Sequence, residues 1–172
     1  ADAIYQNINL IEDGDFDIIA IFGADHIYRM DLQQMIDFHV RKRADVTISA
    51  LPVPLDEATS FGVIQVQEKQ RITGFQEKPK RPKPIPGRPG EAFASMGNYL
   101  FNKQTLIDLL YEDAADIESS HDFGKDILPR IFKTSRVFAY DFCRNRIPGI
   151  TKKEIGYWRD VGTIRSFWEA NM

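Results

Sequence analysis

Apolar and polar positions along the chain switch repeatedly between a helical and an extended period. Ile4, Ile8 and Ile11 make a helical stripe near the start. Ile18 to Phe22 then run without a polar break, which predicts a strand covered on both faces of a sheet. Leu32, Met35, Ile36 and Val40 recur at helical spacing behind Asp31, a side chain suited to capping that helix. Asp45 to Val53 reads as a strand. "GVIQVQ" and "RITGFQEK", joined by "EKQ", read as a hairpin. "FASMGNYLF" predicts a further strand, "KQTLIDLLYED" a helix, and "FGKDILPRIFK" a helix with Pro129 tolerated near a first turn or a kink. "RVFAYDF" is a strand, and "YWRDVGTIRSFWEANM" a strand end, a turn and a closing helix. One stretch breaks the alternation. Residues 78–91 hold five of the nine prolines and predict an extended surface loop, since the pattern resumes in kind beyond them. There are no internal repeats. The pattern predicts one α/β domain whose sheet is mostly parallel with an antiparallel excursion.

Composition narrows the classes without changing that picture. The 172 residues suit about one domain with a sizeable core, and 43% hydrophobic with 27% charged residues is ordinary for a globular protein. No apolar run approaches the roughly 20 residues of a membrane span, and the start has no signal pattern. The single cysteine, Cys143, cannot form an internal disulfide or a multi-cysteine metal site, which fits a cytoplasmic setting. A net charge of −3 argues against a general nucleic-acid binder, so any anionic ligand must be held by local cations. His26, His39 and His121 lack ligand-like spacing, which argues against zinc.

Ligands of open α/β sheets bind outside the carboxyl ends of the strands. Asp25 stands there, just past Gly23-Ala24, fixed by the sheet but open to a crevice; the competing reading is an Asx turn that merely ends the strand. "FQEKP" puts Glu77 and Lys78 at another strand end, stopped by Pro79. An ammonium there can meet a phosphate as a point charge, although an exposed Glu-Lys pair is usually a solvated surface. In a regular strand the two side chains would point to opposite faces, so both serve one site only if the chain turns at this point. Asp160 lies past a short aromatic segment and ahead of a Gly-Thr turn, and "SSHDFGKD" brings Asp122 just before a helix, where plain N-capping also explains it.

Taken in order, "GADHIYRMD", "FGVIQV", "FQEKP", "ASMGNYLF", "SSHDFGKDILP" and "YWRDVGT" closely resemble the glucose-1-phosphate adenylyltransferases, over essentially the whole chain. "EKP" alone is shared across sugar-nucleotide synthases; the other motifs together point to the ADP-glucose branch. The resemblance implies a Rossmann-like nucleotide-diphospho-sugar transferase fold and a reaction of ATP with glucose 1-phosphate giving ADP-glucose and pyrophosphate, for glycogen- or starch-type synthesis. It implies Mg²⁺ held by Asp25 and Asp160, with Asp25 and Lys78 catalytic and Lys78 on the glucose 1-phosphate group. It also implies Glu77, Asp122, Ser95 and the backbone around Gly62 at the sugar, Trp158 walling the site, and Asp2 as a nucleotide-pocket candidate. A homotetramer is implied for the intact protein, with neither nucleic acid nor membrane as partner.

Two departures stand out. Ala24 occupies a position that is glycine in many members, a small change. The family's N-terminal glycine-rich phosphate loop and its C-terminal β-helix have no counterpart here, so residues 1–172 are expected to be a single partial, truncated catalytic domain that lacks pyrophosphorylase activity by itself. Alternatives are another sugar-1-phosphate nucleotidyltransferase using UTP, dTTP or GTP, or a non-catalytic sugar-nucleotide-binding regulatory homologue. Paired metal carboxylates count against the latter. A phosphoacceptor receiver domain needs an acidic pair after its first strand, and no room exists for it before Asp17.

Overall fold

The computed structural model describes residues 1–151 and 153–172. Two short helices, α1 (Asp2–Tyr5) and α2 (Ile8–Glu12), carry the predicted Ile4, Ile8 and Ile11 stripe, broken at Gln6 and Asn7. Strand β1 (Ile18–Phe22), strand β2 (His26–Tyr28) and helix α3 (Leu32–Lys42) follow. Next come β3 (Val46–Pro54), the single turn α4 (Leu55–Ala58) and the predicted hairpin of β4 (Gly62–Val66) and β5 (Ile72–Glu77). The long strand β6 (Glu91–Asn102) leads into α5 (Lys103–Ala114). A π-type turn at Phe123–Ile127 runs into α6 (Leu128–Ile131), with Pro129 in the first turn as expected. Strands β7 (Val137–Asp141) and β8 (Trp158–Asp160) and helix α7 (Ile164–Ala170) complete the order.

Strand β6 organises the main sheet. One edge carries β3, from Val46 opposite Phe101 to Pro54 opposite Glu91. The other edge is divided between β4, which pairs at Val63 and Ile64, and β1, which pairs from Ile18 opposite Asn102 to Phe22 opposite Asn98. The order is β5-β4-β6-β3-β7, with β1 beside β6 off that path. Strands β1, β3, β4 and β7 run one way and β5 and β6 the other. The expected preponderance of parallel strands therefore holds for direction. It does not hold for pairing: the reversed β6 sits in the middle, so β3–β7 is the one parallel pair in the sheet among the described residues.

Helices cover both faces. On one, Leu106 and Leu110 of α5 with Ile127 and Leu128 pack on Ile48, Ile64 and Phe101. On the other, Met35 and Phe38 of α3 pack on Leu100 and Tyr140. Each large side chain so buried contributes about 1.5–3 kcal/mol of transfer free energy. Asp31 caps α3 as predicted, its carboxylate accepting from the Gln33 N–H at 3.0 Å. The expectation for β1 needs correction. Ile19 and Ile21 reach the main core and Ile18 the α3 side, but Ala20 and Phe22 are exposed, because β1 pairs with β6 alone and nothing described covers the far end of its second face. Residues 78–91 form the expected surface loop, pinned where buried Ile85 donates its N–H to the Glu91 carbonyl. No helix among the described residues is long and apolar enough to cross a membrane.

His39, 1% exposed on α3, is a core residue. Its Nδ1 lies 2.8 Å from the Thr47 hydroxyl and its Nε2 3.0 Å from Asn102 Oδ1, a pairing that fits the neutral ring with the proton on Nε2. Burial holds its pKa below the usual imidazole value, against the opposing bond to Asn102 and the field of Asp45. A depressed histidine contributes stability above its unfolded pKa, about 6.5, and that stability is lost as pH falls toward the folded value. Stability should thus drop by up to about 1.4 kcal/mol per pH unit just below pH 6.5. His39→Gln should flatten this slope in urea titrations at pH 7 and pH 5; an unchanged slope would remove the assignment.

Candidate active site

The chain leaves β1 through Gly23, and glycine is required there. A Cβ on Gly23 would lie 2.8 Å from His26 Cε1, and one on Gly97 3.2 Å from the same atom, so the two glycines form a slot for the imidazole. Gly97 also has φ +72°, a conformation that side chains resist. The ring of His26 meets Trp158 edge to face at 5.2 Å, and Trp158 meets Phe61 at 5.6 Å, which makes an aromatic wall.

β2 and β8 form a two-stranded antiparallel ribbon with His26 opposite Asp160 and Tyr28 opposite Trp158. That register sets Asp25 beside Asp160. The Asp25 carbonyl accepts from the Val161 N–H at 2.8 Å, and Asp160 Oδ1 from the Gly162 N–H at 2.7 Å. A Cβ on Gly162 would sit 3.1 Å from Asp160 Oδ1 and 3.2 Å from Asp25 Oδ2, so glycine leaves room for both acids. One donor atom each from Asp25, His26 and Asp160 lie within 4.8 Å of one another. Both carboxylates are exposed, each with one oxygen open to a ligand, since Asp160 Oδ1 is held by Gly162 and His26 Nε2 is 3.3 Å from Asp25 Oδ1. Two oxygen donors and water-accessible space suit a hard divalent cation that keeps part of its hydration shell.

Asp160 stands at the edge of a cleft of about 540 Å³ that also takes in Gly62, Glu77, Lys78, Ser95, Asp122 and Trp158. Lys78 does turn the chain: its φ is +42°, its N–H donates to the Phe61 carbonyl at 3.1 Å, and Pro79 follows. A residue before proline normally stays extended, so this left-handed position is strained. The turn brings Lys78 Nζ to 3.9 Å from Glu77 Oε1, with both side chains more than half exposed on one rim. Gly62 is opposite Glu77 in the hairpin, and a Cβ there would be 2.3 Å from Phe75 Cζ and 3.1 Å from Glu77 Oε2.

Asp122 caps the π-type turn, as the capping reading expects, accepting from the Lys125 N–H at 2.8 Å, and it lines the cleft as well. The preceding His121 has φ +57°. Asp113, 3% exposed, accepts from the Ser119 hydroxyl at 2.6 Å and lies 2.8 Å from His121 Nδ1, which ties this strained corner to α5.

Asp2 is not brought to the cleft. It sits in the first turn of α1, accepts from Gln6 Nε2 at 3.2 Å, and lines a separate depression with Tyr5, Asp113 and His121. Sequence reasoning passed over three residues of the site. His26 has no histidine partner at ligand-like spacing in the sequence, yet its neighbour Asp25 and the distant Asp160 complete the cluster. Tyr99 and Gly97 lie at two-residue steps from Ser95 on β6, so strand alternation was the available signal. Burial drives the Tyr99 phenol up to about 12, against a hydrogen bond to Ser95, so it stays protonated at neutral pH as a donor in the cleft floor.

Comparison with known proteins adds to this geometry. A family model described as "Nucleotidyl transferase" matches residues 1–172. The chain is 56% identical over 172 residues to a glucose-1-phosphate adenylyltransferase of Photobacterium profundum, 55% over 173 to one of Thermus thermophilus, and 54% over 172 to one of Vibrio cholerae. In each case all of this chain is covered, but only 42% of the relative, so the chain spans less than half the length of these curated relatives.

Asp113→Asn should release the corner at 119–122. Loss of a buried charged acceptor shared by two half-buried partners is expected to cost about 1–3 kcal/mol. Amide exchange over residues 119–126 should quicken; exchange at the wild-type rate would mean that Asp113 does not hold the turn.

Proposed function

The chain belongs to the nucleotidyl transferase family, and from that premise we propose that it supplies the sugar-phosphate pocket and the metal-holding acids of an enzyme making ADP-glucose and pyrophosphate from ATP and glucose 1-phosphate. The observation that carries this reading is the register of the β2–β8 ribbon, which sets Asp25 beside Asp160 at the mouth of a cleft bearing Glu77, Lys78, Ser95 and Asp122. The names of the relatives support the choice of adenylyl transfer and of glucose 1-phosphate. We read residues 1–172 as part of a catalytic domain, supported by the extent of the family match and the 42% coverage of the relatives. A homotetramer and a cytoplasmic location for the intact protein belong to the same proposal.

In this reading an oxygen of the glucose 1-phosphate group attacks the α-phosphorus of ATP. The bond from that phosphorus to the bridging oxygen breaks, and pyrophosphate leaves with the electron pair. Lys78 holds the attacking phosphate as a point charge, and the left-handed turn at its own backbone aims it. Glu77 and Asp122 accept hydrogen bonds from sugar hydroxyls, while Ser95 and Tyr99 border the sugar from the strand floor. Gly62 makes room for the Phe75 ring beside Glu77 and leaves its backbone at the sugar end of the cleft. Trp158 closes one side and limits water access. Asp25 and Asp160 would hold Mg²⁺, which when bound neutralises phosphate charge and fixes the phosphate oxygens. Most of the rate then comes from positioning and charge neutralisation rather than from covalent work by the protein.

Steady-state kinetics of the intact protein test these roles separately. Asp25→Asn should lower kcat by about 10²–10³-fold with modest change in substrate KM, the usual cost of removing an electrostatic stabiliser. Near-normal turnover with weakened glucose 1-phosphate binding would overturn its role. Lys78→Gln should raise the KM for glucose 1-phosphate by roughly tenfold or more and leave that for ATP nearly unchanged. An equal rise for both substrates would remove Lys78 from the sugar-phosphate pocket.

A further inference from the structure

Past Lys78, on the rim of the cleft, the chain strings cations between prolines. Residues 78–90 hold Lys78, Lys80, Arg81, Lys83 and Arg88 and no acid, in a chain whose net charge is −3. Arg88 is tied into the fold: it pairs with Glu91 at 3.6 Å and with buried Asp141 at 3.2 Å. Lys80, Arg81 and Lys83 are exposed and form no ion pair among the described residues. Other exposed cations are differently placed. Arg29, Arg130, Arg136, Arg159 and Arg165 each lie within 3.1 Å of a carboxylate.

An exposed lysine is ordinarily just a solvated one. The placing of this arm argues for more. It is held at both ends, by the Lys78 N–H on the Phe61 carbonyl at 3.1 Å and by buried Ile85, whose N–H donates to the Glu91 carbonyl at 2.8 Å. Pro79, Pro82 and Pro84 alternate with the cations and stiffen the span, which limits how far it folds back onto the acids of the protein. Covalent geometry keeps the Cα atoms of Lys80 and Arg81 within about 8 and 11 Å of that of Lys78. The cleft beside them is acidic. Glu77, Asp122 and Asp160 line it, Asp25 stands next to Asp160, and Lys78 is the one Lys or Arg among the described lining residues. A dianion coming from water meets mostly repulsion before Lys78 Nζ can hold it.

We propose that the arm from Lys80 to Lys83 is an electrostatic guide, which draws glucose 1-phosphate toward the cleft and speeds its entry. The proposal rests on the reading of the cleft as a sugar-phosphate pocket. Lys80, Arg81 and Lys83 do not line the cleft, so they act on the approaching anion rather than on the bound one. Each attracts a dianion weakly through water, but three on one side act together, over a range that salt sets.

Stopped-flow mixing of the intact protein with glucose 1-phosphate tests this, with the fluorescence of Trp158 on the cleft wall as reporter. At an ionic strength of about 0.01 M, Lys80→Gln, Arg81→Gln and Lys83→Gln together should lower the association rate constant roughly tenfold and change the dissociation rate constant less than about twofold. The difference should vanish near about 0.5 M, where screening is complete over a few ångströms. Lys80→Gln with Arg81→Gln alone should fall between. Arg43→Gln with Lys133→Gln removes the same charge from positions that do not line the cleft, and should leave association within about twofold of wild type. Lys78→Gln should instead speed dissociation at every ionic strength, the mark of a contact in the bound state. The guide is overturned if the triple variant associates at the wild-type rate at low salt, if its deficit persists at high salt, or if the Arg43 and Lys133 substitutions slow association equally. Failure of the wild-type protein to bind glucose 1-phosphate would instead bring down the reading of the cleft, and the guide with it.

Discussion

A three-residue ribbon fixes the geometry on which the whole site depends. Without the pairing of β2 with β8, Asp25 and Asp160 would have no reason to meet, since neither packs into the core. So short a ribbon has too few ladder bonds to set its own register, and in a strand a slip of one residue turns every side chain to the other face. Here the register is set from outside the ladder. The His26 ring fits a slot that only glycine at positions 23 and 97 leaves open, and its edge rests on Trp158. The Val161 N–H bonds to the Asp25 carbonyl, and the Gly162 N–H returns to the Asp160 carboxylate. A slipped ribbon would turn the imidazole out of its slot and break those bonds.

The rest of the site hangs on β6. Its divided edge holds β1, which delivers Gly23 and Asp25, and β4, which delivers Gly62 and, through β5, Glu77 and Lys78. Its own residues, Ser95, Gly97 and Tyr99, make the floor. Two sources of site residues are thereby referred to one strand whose buried positions, Phe93, Leu100 and Phe101 among them, are locked between helices on both faces. The chain carries net negative charge, so its overall field repels phosphates, and among the described residues lining the cleft Lys78 is the one Lys or Arg that opposes this locally. The acids proposed to hold the metal would add to that repulsion without their cation, which makes anion binding and cation binding at this cleft mutually dependent.

Much of this was legible in the chain. Strand ends followed at once by Asp25 or by Glu77-Lys78 are local signals, and helices such as α3 and α5 have periods long enough to read. Three things were not legible, each for a physical reason. The reversed direction of β6 depends on which strands it joins, and an apolar run such as Ile18 to Phe22 has the same letters whether one face or both are covered. His26 as a member of the acid cluster depends on a contact across most of the chain. The seat of Asp2 in a depression separate from the cleft follows from the packing of α1 against α5, which no motif encodes.

The left-handed residues divide by cause, and the division locates where the fold serves the cleft. Arg43 ends α3, and Lys69 with Gln70 turns the β4–β5 hairpin, where such angles match the natural twist of the strands. Lys78 and His121 have no such excuse. A non-glycine residue held in this region costs about 1–2 kcal/mol, and each is held by hydrogen bonds from neighbouring segments. For Lys78 that neighbour is the Phe61 carbonyl; for His121 it is the buried Asp113 with Ser119. Both strained residues stand at points where the chain must leave a regular path abruptly to bring a charged side chain, Lys78 itself or the adjacent Asp122, onto the cleft. Local propensity at these positions would favour an extended chain at Lys78 and an unstrained turn at His121. Tertiary contacts override it, at Lys78 on the rim of the cleft and at His121 one residue before Asp122.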